Sequence, residues 1–422
     1  MTPRTPATTA VAGMTMVTIG SMTANAASYL LAVLAAWWLR PAGYGEFAAL
    51  TASQLVLAVP ALALQTVVAR QVVLGDDPAD LRRLGTRCAV IVAGLAALLV
   101  APIAALLDTG VAATTAALLT APVLVLLSGE QGLLQGAGRF AALSVVLASA
   151  GIGKVAPAVA VLALGGGPGA ALTASAVGTG AVAVMARVVT GAGPRLAPVR
   201  PAVGVAAVLR ASQVQLALIV LSSVDVLLAR VVLDDAHAGQ YALGAVAAKV
   251  AFWLPAAVGV VLYPKMANPE HSAAAVRSAL GVLVGIGAVA VVTAALAAPL
   301  VPAVLGDDYA AVQGLLWVFA LDGACLAVLQ GALLSAIARE RTRLATVAWV
   351  GLAVEVTLIL TVASSMRQLI LITVACAAAT AAVVSVAALR GVTATPRPPR
   401  ADGATGPGDR PASRPDRSPG TD

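Results

Sequence analysis

The sequence predicts an all-α membrane protein of about twelve transmembrane helices, arranged as two six-helix bundles that arose by internal duplication. Three observations carry this. Of 422 residues, 60% are hydrophobic and 11% charged, with a mean hydropathy of +0.95, whereas an average soluble domain is roughly 25% charged. Apolar runs long enough to cross a hydrocarbon layer of about 30 Å at 1.5 Å per helical residue recur along the chain. Finally, Gly45-Glu-Phe-Ala48 stands fifteen residues before Pro60 and Gly239-Gln-Tyr-Ala242 sixteen before Pro255, each opening the second run of its half. Six spans per half is an even number, so the halves share orientation about an axis along the membrane normal, and the natural binding place is between them.

Residues 1–10 are a short tail with one arginine, Arg4. Val11 to Leu39 is the first span. Cleavage at the small residues Ala24-Asn25-Ala26, as in a signal peptide, would leave too short a remnant to cross the membrane, so the whole stretch is read as one helix. Arg40 to Glu46 reads as a turn, Phe47 to Ala69 as the second span with Gln54, Pro60 and Gln65 inside it, and Arg70 to Arg87 as a polar inner segment. Cys88 to Leu107 and Val111 to Leu127 form a hairpin about Asp108-Thr-Gly, followed by Phe140 to Leu164 and Gly169 to Val189. These spans make residues 11–189 the first bundle.

A Gly/Pro/Arg linker, 190–204, divides the chain. The second bundle, 205–389, holds Val208 to Leu233, Gly239 to Leu262, Leu280 to Val304, Ala310 to Ala338, Leu344 to Val362 and Leu369 to Leu389. Residues 390–422 are Pro, Gly, Arg, Asp and Ser with little to bury, and are expected to be a disordered cytoplasmic tail.

Lys and Arg give the orientation. With the amino terminus inside, the inner segments hold Arg4, Arg70, Arg82, Arg83, Arg87, Arg139, Arg187, Arg195, Arg200, Arg210, Lys265, Arg277, Arg339, Arg341, Arg343 and every arginine of the tail. The outer ones hold Arg40, Arg230 and Arg367 beside Asp108, Asp234, Asp235, Asp307 and Asp308. Positive residues stay inside, so both termini of a multi-pass plasma-membrane protein are expected in the cytoplasm.

Five charges lie deep in apolar runs. Asp225 is nine residues before the outer turn at Asp234, and Lys249 ten after Gly239. Lys154 is eleven from Gly165, Asp322 twelve from Ala310 and Glu355 nine from Ser364. At 1.5 Å per residue all sit roughly 13 to 18 Å below the outer face, near the bilayer midplane. A charge in hydrocarbon costs at least about 2.5 to 3.5 kcal/mol, so the layer predicts a polar cavity. Lys154 and Lys249 suit an anionic group such as a diphosphate. Asp225, Asp322 and Glu355 suit a coupling proton or cation. Salt bridges that only fix helix packing are the competing reading.

Other chemistry is missing. No Gly-x-x-x-x-Gly-Lys-Ser/Thr loop is present, His237 and His271 stand alone, and Cys88, Cys325 and Cys376 show no paired spacing. No catalytic residue, metal, cofactor, disulfide or nucleic-acid surface is assigned. The segment Gly75 to Arg87 does not match the spacing of the basic loop of major-facilitator transporters, and a solvated inner loop explains it.

Leu39-Arg-Pro-Ala-Gly-Tyr-Gly-Glu-Phe47, Gly132-Leu-Leu-Gln-Gly-Ala-Gly-Arg-Phe140, Val224-Asp-Val-Leu-Leu-Ala-Arg230 through Ala238-Gly-Gln-Tyr241 to Tyr263-Pro-Lys265, and Gly306-Asp-Asp-Tyr309 together resemble a known family. It is the polysaccharide-exporter, O-antigen flippase branch of the multidrug, oligosaccharidyl-lipid and polysaccharide (MATE-like) superfamily. The likeness covers nearly all of Val11 to Leu389. It implies two six-helix bundles in a V that open alternately inward and outward. It also implies a substrate: a glycan on a polyprenyl diphosphate, moved to the outer leaflet for polysaccharide assembly, with a glycan polymerase or glycosyltransferases as partners. Arg70, Arg139 and Arg210, near inner ends of spans, would admit the diphosphate. The chain departs from the family in one respect, since exporters tend toward a cationic lumen and here three acids accompany two lysines. A proton- or cation-coupled drug antiporter on the same fold is the alternative. Integral-membrane glycosyltransferases or polymerases need sizeable outer loops, which this sequence lacks.

Overall fold

The computed structural model describes residues 6–191, 204–254, 272–337 and 344–393. Most of the linker, the tail from 394, Pro255, Tyr263-Pro-Lys265, His271 and Arg339 to Arg343 lie outside the described residues. The described elements are all helical, in the order α1 (Pro6–Leu57), α2 (Val59–Val73), α3 (Pro78–Leu106), α4 (Val111–Gly136), α5 (Phe140–Ala163) and α6 (Pro168–Thr190). The second half holds α7 (Val205–Leu221), α8 (Val224–Val232), α9 (Asp235–Trp253), α10 (Ser272–Ala297), α11 (Leu300–Leu305), α12 (Ala310–Gln313), α13 (Leu316–Ile337), α14 (Leu344–Val362) and α15 (Met366–Thr393). A 3₁₀ turn, Asp307–Tyr309, precedes α12.

Several boundaries differ from the sequence reading. The expected turn over Arg40 to Glu46 is a break at a single residue: Arg40 takes φ 58° and ψ 173°, and the helix resumes at Pro41. Proline suits the first turn of a helix because its missing N–H has no partner there anyway. The polar segment Arg70 to Arg87 is mostly helix. There α2 runs on to Val73, and α3 starts at Pro78 behind Asp77, whose side chain accepts from the Ala79 N–H. The expected span Val208 to Leu233 is two helices, interrupted at Ser222 and Ser223. That interruption puts Asp225 in the first turn of α8, where the helix dipole favours a negative group.

The outer surface is apolar. Val90, Leu98, Val188, Leu296 and Val362 are all more than half exposed. A polypeptide covered this way belongs in lipid, and helices satisfy its backbone there. The chain is a multi-pass membrane protein.

Two features set how the helices meet. Within the first half, Gly132 and Gly136 let α4 lie directly on α2: a Cβ at Gly132 would stand 2.7 Å from the Gln65 carbonyl oxygen, and one at Gly136 would meet that of Ala69. Between the halves, a continuous core joins Leu31, Ala35, Tyr44 and Phe47 of α1 to Val226, Tyr241, Ala242 and Phe319 of the second half. This shared core occupies the aspartate-rich end. Toward the arginine-rich end the packing divides into separate cores, one around Leu64, Leu84 and Val125 and another around Leu218, Phe252 and Leu329. Val208 of α7 is the second-half residue buried in the former.

Candidate functional site: a lysine-lined cavity between the halves

At the aspartate-rich end the halves are tied by polar contacts as well as by the core. Arg40 pairs with Asp308 at 2.8 Å, and Gln240 donates to the Asp308 carbonyl at 2.7 Å. The Arg230 guanidinium pairs with Asp235 at 2.8 Å and donates to the carbonyls of Leu107, at 3.0 Å, and Asp108, at 3.2 Å. The Tyr309 hydroxyl donates to the Ala36 carbonyl at 3.0 Å. Gly239 lies so close to Pro41 that a side chain at 239 would run into the Pro41 carbonyl. Asp234 caps α9, and its carboxyl is held below the usual carboxylate range by the His237 backbone N–H and then by the His237 ring.

Beneath this closure lies a cavity of about 240 Å³, walled by α1, α4, α5, α6, α8 and α9. Among the described residues its polar lining is Asn25, Ser28, Tyr29, Tyr44, Thr51, Gln54 and Ser175, and its charged lining is Lys154 and Lys249. Both lysines are half-buried. The Tyr29 hydroxyl donates to the Lys249 carbonyl at 3.3 Å, and the Ser175 hydroxyl to the Lys154 carbonyl at 2.9 Å, which fixes the backbone under each ammonium. Among the described residues neither lysine forms an ion pair. The two lie within electrostatic reach of each other.

The three acids lie elsewhere. Asp225, Asp322 and Glu355 are buried inside the second half, at 3%, 2% and 0% exposure, and none lines the cavity. They lie within electrostatic reach of one another. The Tyr241 hydroxyl donates to Asp225 Oδ2 at 2.8 Å, and its ring packs edge-on against Phe319 at 5.0 Å. Asp225 Oδ1, Asp322 Oδ1, both Glu355 oxygens and the Ser223 hydroxyl have no hydrogen-bond partner among the described residues. Among those residues, too, no three His, Cys, Asp or Glu side chains gather as a metal site. The single five-charge layer expected from depth is therefore divided into a lysine pair facing the cavity and an acid cluster behind its wall. Lys249 is the link, being within electrostatic reach of Asp225.

Arg70, Arg139 and Arg210 do not reach the cavity. Arg139 donates to the Val189 and Thr190 carbonyls at 3.0 and 3.3 Å, closing the end of α6. Arg210 turns back to the Ala206 carbonyl of its own helix at 3.3 Å, and Arg70 is exposed in the last turn of α2. The sequence reading missed Glu130. This buried acid takes two bonds from Arg82, at 2.9 and 3.2 Å, and lies 3.7 Å from Arg187, clamping α3, α4 and α6 together at the arginine-rich end. An acid at the end of the fourth apolar run, on the arginine-rich side, was the available signal.

No family model and no curated protein matches the sequence. Solved structures do match across almost the whole chain. An inward-facing multidrug resistance MATE family transporter of the MOP superfamily aligns with a TM-score of 0.63 at 13% identity, covering 90% of this chain and 98% of that one. This chain has the MATE transporter fold. An outward-facing transporter of the same description aligns at 0.56 with 14% identity, covering 90% and 96%. A MOP superfamily transporter from Pyrococcus furiosus, described as having a binding pocket of reverse polarity that suggests a different function, aligns at 0.52 with 14% identity and the same coverage. MATE transporters have 12 helices in two bundles. The proteins with these structures are membrane transporters rather than enzymes.

Proposed function

We propose that this chain is an alternating-access transporter that flips a polyprenyl-diphosphate-linked oligosaccharide across the plasma membrane for polysaccharide export. The observation that carries the reading is the polarity of the cavity: among the described residues its charged lining is Lys154 and Lys249, and no carboxylate lines it. Two ammonium groups with no ion-pair partner among the described residues favour an anion, and a diphosphate offers enough oxygens to meet both. The acids that put a cationic lumen in question on sequence grounds stand behind the wall: none lines the cavity, and Asp225 is the one within electrostatic reach of Lys249. Asp225, Asp322 and Glu355 take the coupling role. Buried carboxyl oxygens without donors are costly when charged, and uptake of a proton or cation by the cluster would relieve that cost and alter the field at Lys249. Arg70, Arg139 and Arg210 would guide the diphosphate only in a state that frees them from their present positions. On this reading both termini lie in the cytoplasm, and a glycan polymerase or glycosyltransferases would act beside the transporter.

The test is reconstitution of the full chain in vesicles with a fluorescent polyprenyl-diphosphate sugar in one leaflet. Wild-type protein exposes the lipid to a membrane-impermeant quencher on the far side, and K154A/K249A does not, although it inserts and folds. Transport at the wild-type rate by the double variant refutes the assignment of the lysines. The buried acid cluster also supports a second reading, a proton-coupled drug antiporter, which predicts efflux of cationic dyes that D225N or E355Q abolishes.

A further inference from the structure

Two neighbouring rows of side chains on α3 change from polar to apolar at the same height. Arg82, Thr86 and Val90 form one row, and Arg83, Arg87 and Ile91 the other. Side chains four apart stack on one face of a helix. Both rows line a groove of about 640 Å³ whose opposite side is Val205, at the start of α7. The groove therefore lies where the two halves approach each other at the arginine-rich end. Val90 and Ile91 are 65% and 53% exposed, and Arg83 and Arg87 are also exposed. Arg82 is anchored by Glu130, and Arg83 by Asp80 at 2.7 Å. Among the described residues no carboxylate pairs with Arg87. Among the described residues the groove is lined by three guanidinium groups and no acid, and hydrocarbon contact begins about one helical turn beyond them.

We propose that this groove is a binding site for one anionic phospholipid. The phosphate sits at Arg83 and Arg87, and the acyl chains run over Val90 and Ile91 toward Val205. The order of chemistry in the groove is that of the lipid: anionic phosphate first, then hydrocarbon within a few ångströms. A basic pocket among helices at the inner leaflet is a recurrent form of head-group recognition. A lipid held against both α3 and α7 favours the arrangement in which this groove exists, so the anionic lipid content of the membrane would bias the transport cycle. This inference does not depend on the identity of the transported substrate.

The test is native mass spectrometry of the full-length protein in detergent, titrated with phosphatidylglycerol or phosphatidylcholine, with glycerol phosphate as soluble competitor. An arginine near an anionic head group contributes about a 5-fold preference, so R83Q/R87Q lowers phosphatidylglycerol retention roughly 30-fold, to the phosphatidylcholine level. R277Q removes an exposed charge elsewhere and leaves retention unchanged. V90S weakens both lipids alike while preserving the anionic preference. The proposal is overturned by equal retention of the two lipids on wild-type protein, by a preference that survives R83Q/R87Q, or by a loss in R277Q equal to that in R83Q/R87Q. Displacement of the lipid by glycerol phosphate alone also overturns it, since the site would then bind free phosphate.

Discussion

Replacing Gly239 with alanine puts a methyl group where the Pro41 carbonyl stands. The two residues belong to opposite halves, and the aspartate-rich end closes through their approach. Overpacking of this kind costs about 1 to 3 kcal/mol, which at 1.4 kcal/mol per tenfold multiplies the ratio of open to closed molecules roughly 5- to 150-fold. The helix preference of alanine over glycine, about 1 kcal/mol, acts in both conformations and leaves that ratio alone. The Arg40–Asp308 pair spans the same interface, but its side chains are 74% and 48% exposed. Solvent screening holds such a pair to at most about 1 kcal/mol, so D308N shifts the ratio by about 5-fold at most. Spin labels at Val111 and Ala236, on opposite halves of this end, report the separation in lipid nanodiscs. G239A populates a longer distance that wild type and D308N show far less. If D308N opens this end as much as G239A, or if G239A leaves the distances unchanged, close glycine packing is not what holds the closure.

Three further outcomes follow from the geometry. E130A leaves Arg82, whose side chain is 15% exposed, without its bidentate partner; breaking a buried pair costs about 3 to 5 kcal/mol, and thermal unfolding in detergent should show a larger loss for E130A than for E130Q. Y241F removes the donor to Asp225 Oδ2 and costs about 1.5 to 3 kcal/mol, whereas D225N, which keeps an acceptor for Tyr241, costs less; the reverse order would mean that the hydroxyl is not bonded to Asp225. The Asp234 cap titrates in the folded protein below the ordinary carboxylate range, so its contribution is present above that range and is lost only as pH falls through the lowered value. Hydrogen exchange at the His237 and Ala238 amides, corrected for intrinsic rates, should stay flat from neutral pH down to the ordinary carboxylate range and rise below it, and a rise near neutrality would contradict the cap.

Much of this architecture is legible in the sequence because lipid imposes a simple rule: apolar runs of sufficient length become helices, and arginines mark one end. The approximate heights of Lys154, Lys249, Asp225, Asp322 and Glu355 follow from counting residues. Their division does not, because a count gives depth along a helix and not the direction in which a side chain points. Asp225 faces Tyr241 inside the second half while Lys249, on the next helix, faces the cavity. The break at Ser222 and Ser223 was hidden in a hydrophobic run, since a discontinuity held by surrounding helices needs no Gly or Pro to mark it. The start of α3 at Pro78 was masked by charge: Arg82, Arg83 and Arg87 read as a solvated loop, yet Asp77 caps the helix and Leu81 and Leu84 bury its other face.

In the function proposed above the cavity is a cation-lined site for an anion, with the acids held behind its wall. Trp253 lines that cavity, so its fluorescence, isolated by replacing the other four tryptophans with phenylalanine, reads occupancy directly. Titration with a short-chain polyprenyl diphosphate should shift the emission. Charge-assisted bonds of about 1.5 to 3 kcal/mol each mean that K154A or K249A weakens binding roughly 10- to 150-fold, while a cationic dye of similar size gives no saturable change. Saturable binding of the cationic dye, strengthened when the lysines are removed, together with indifference to the diphosphate, would contradict the account.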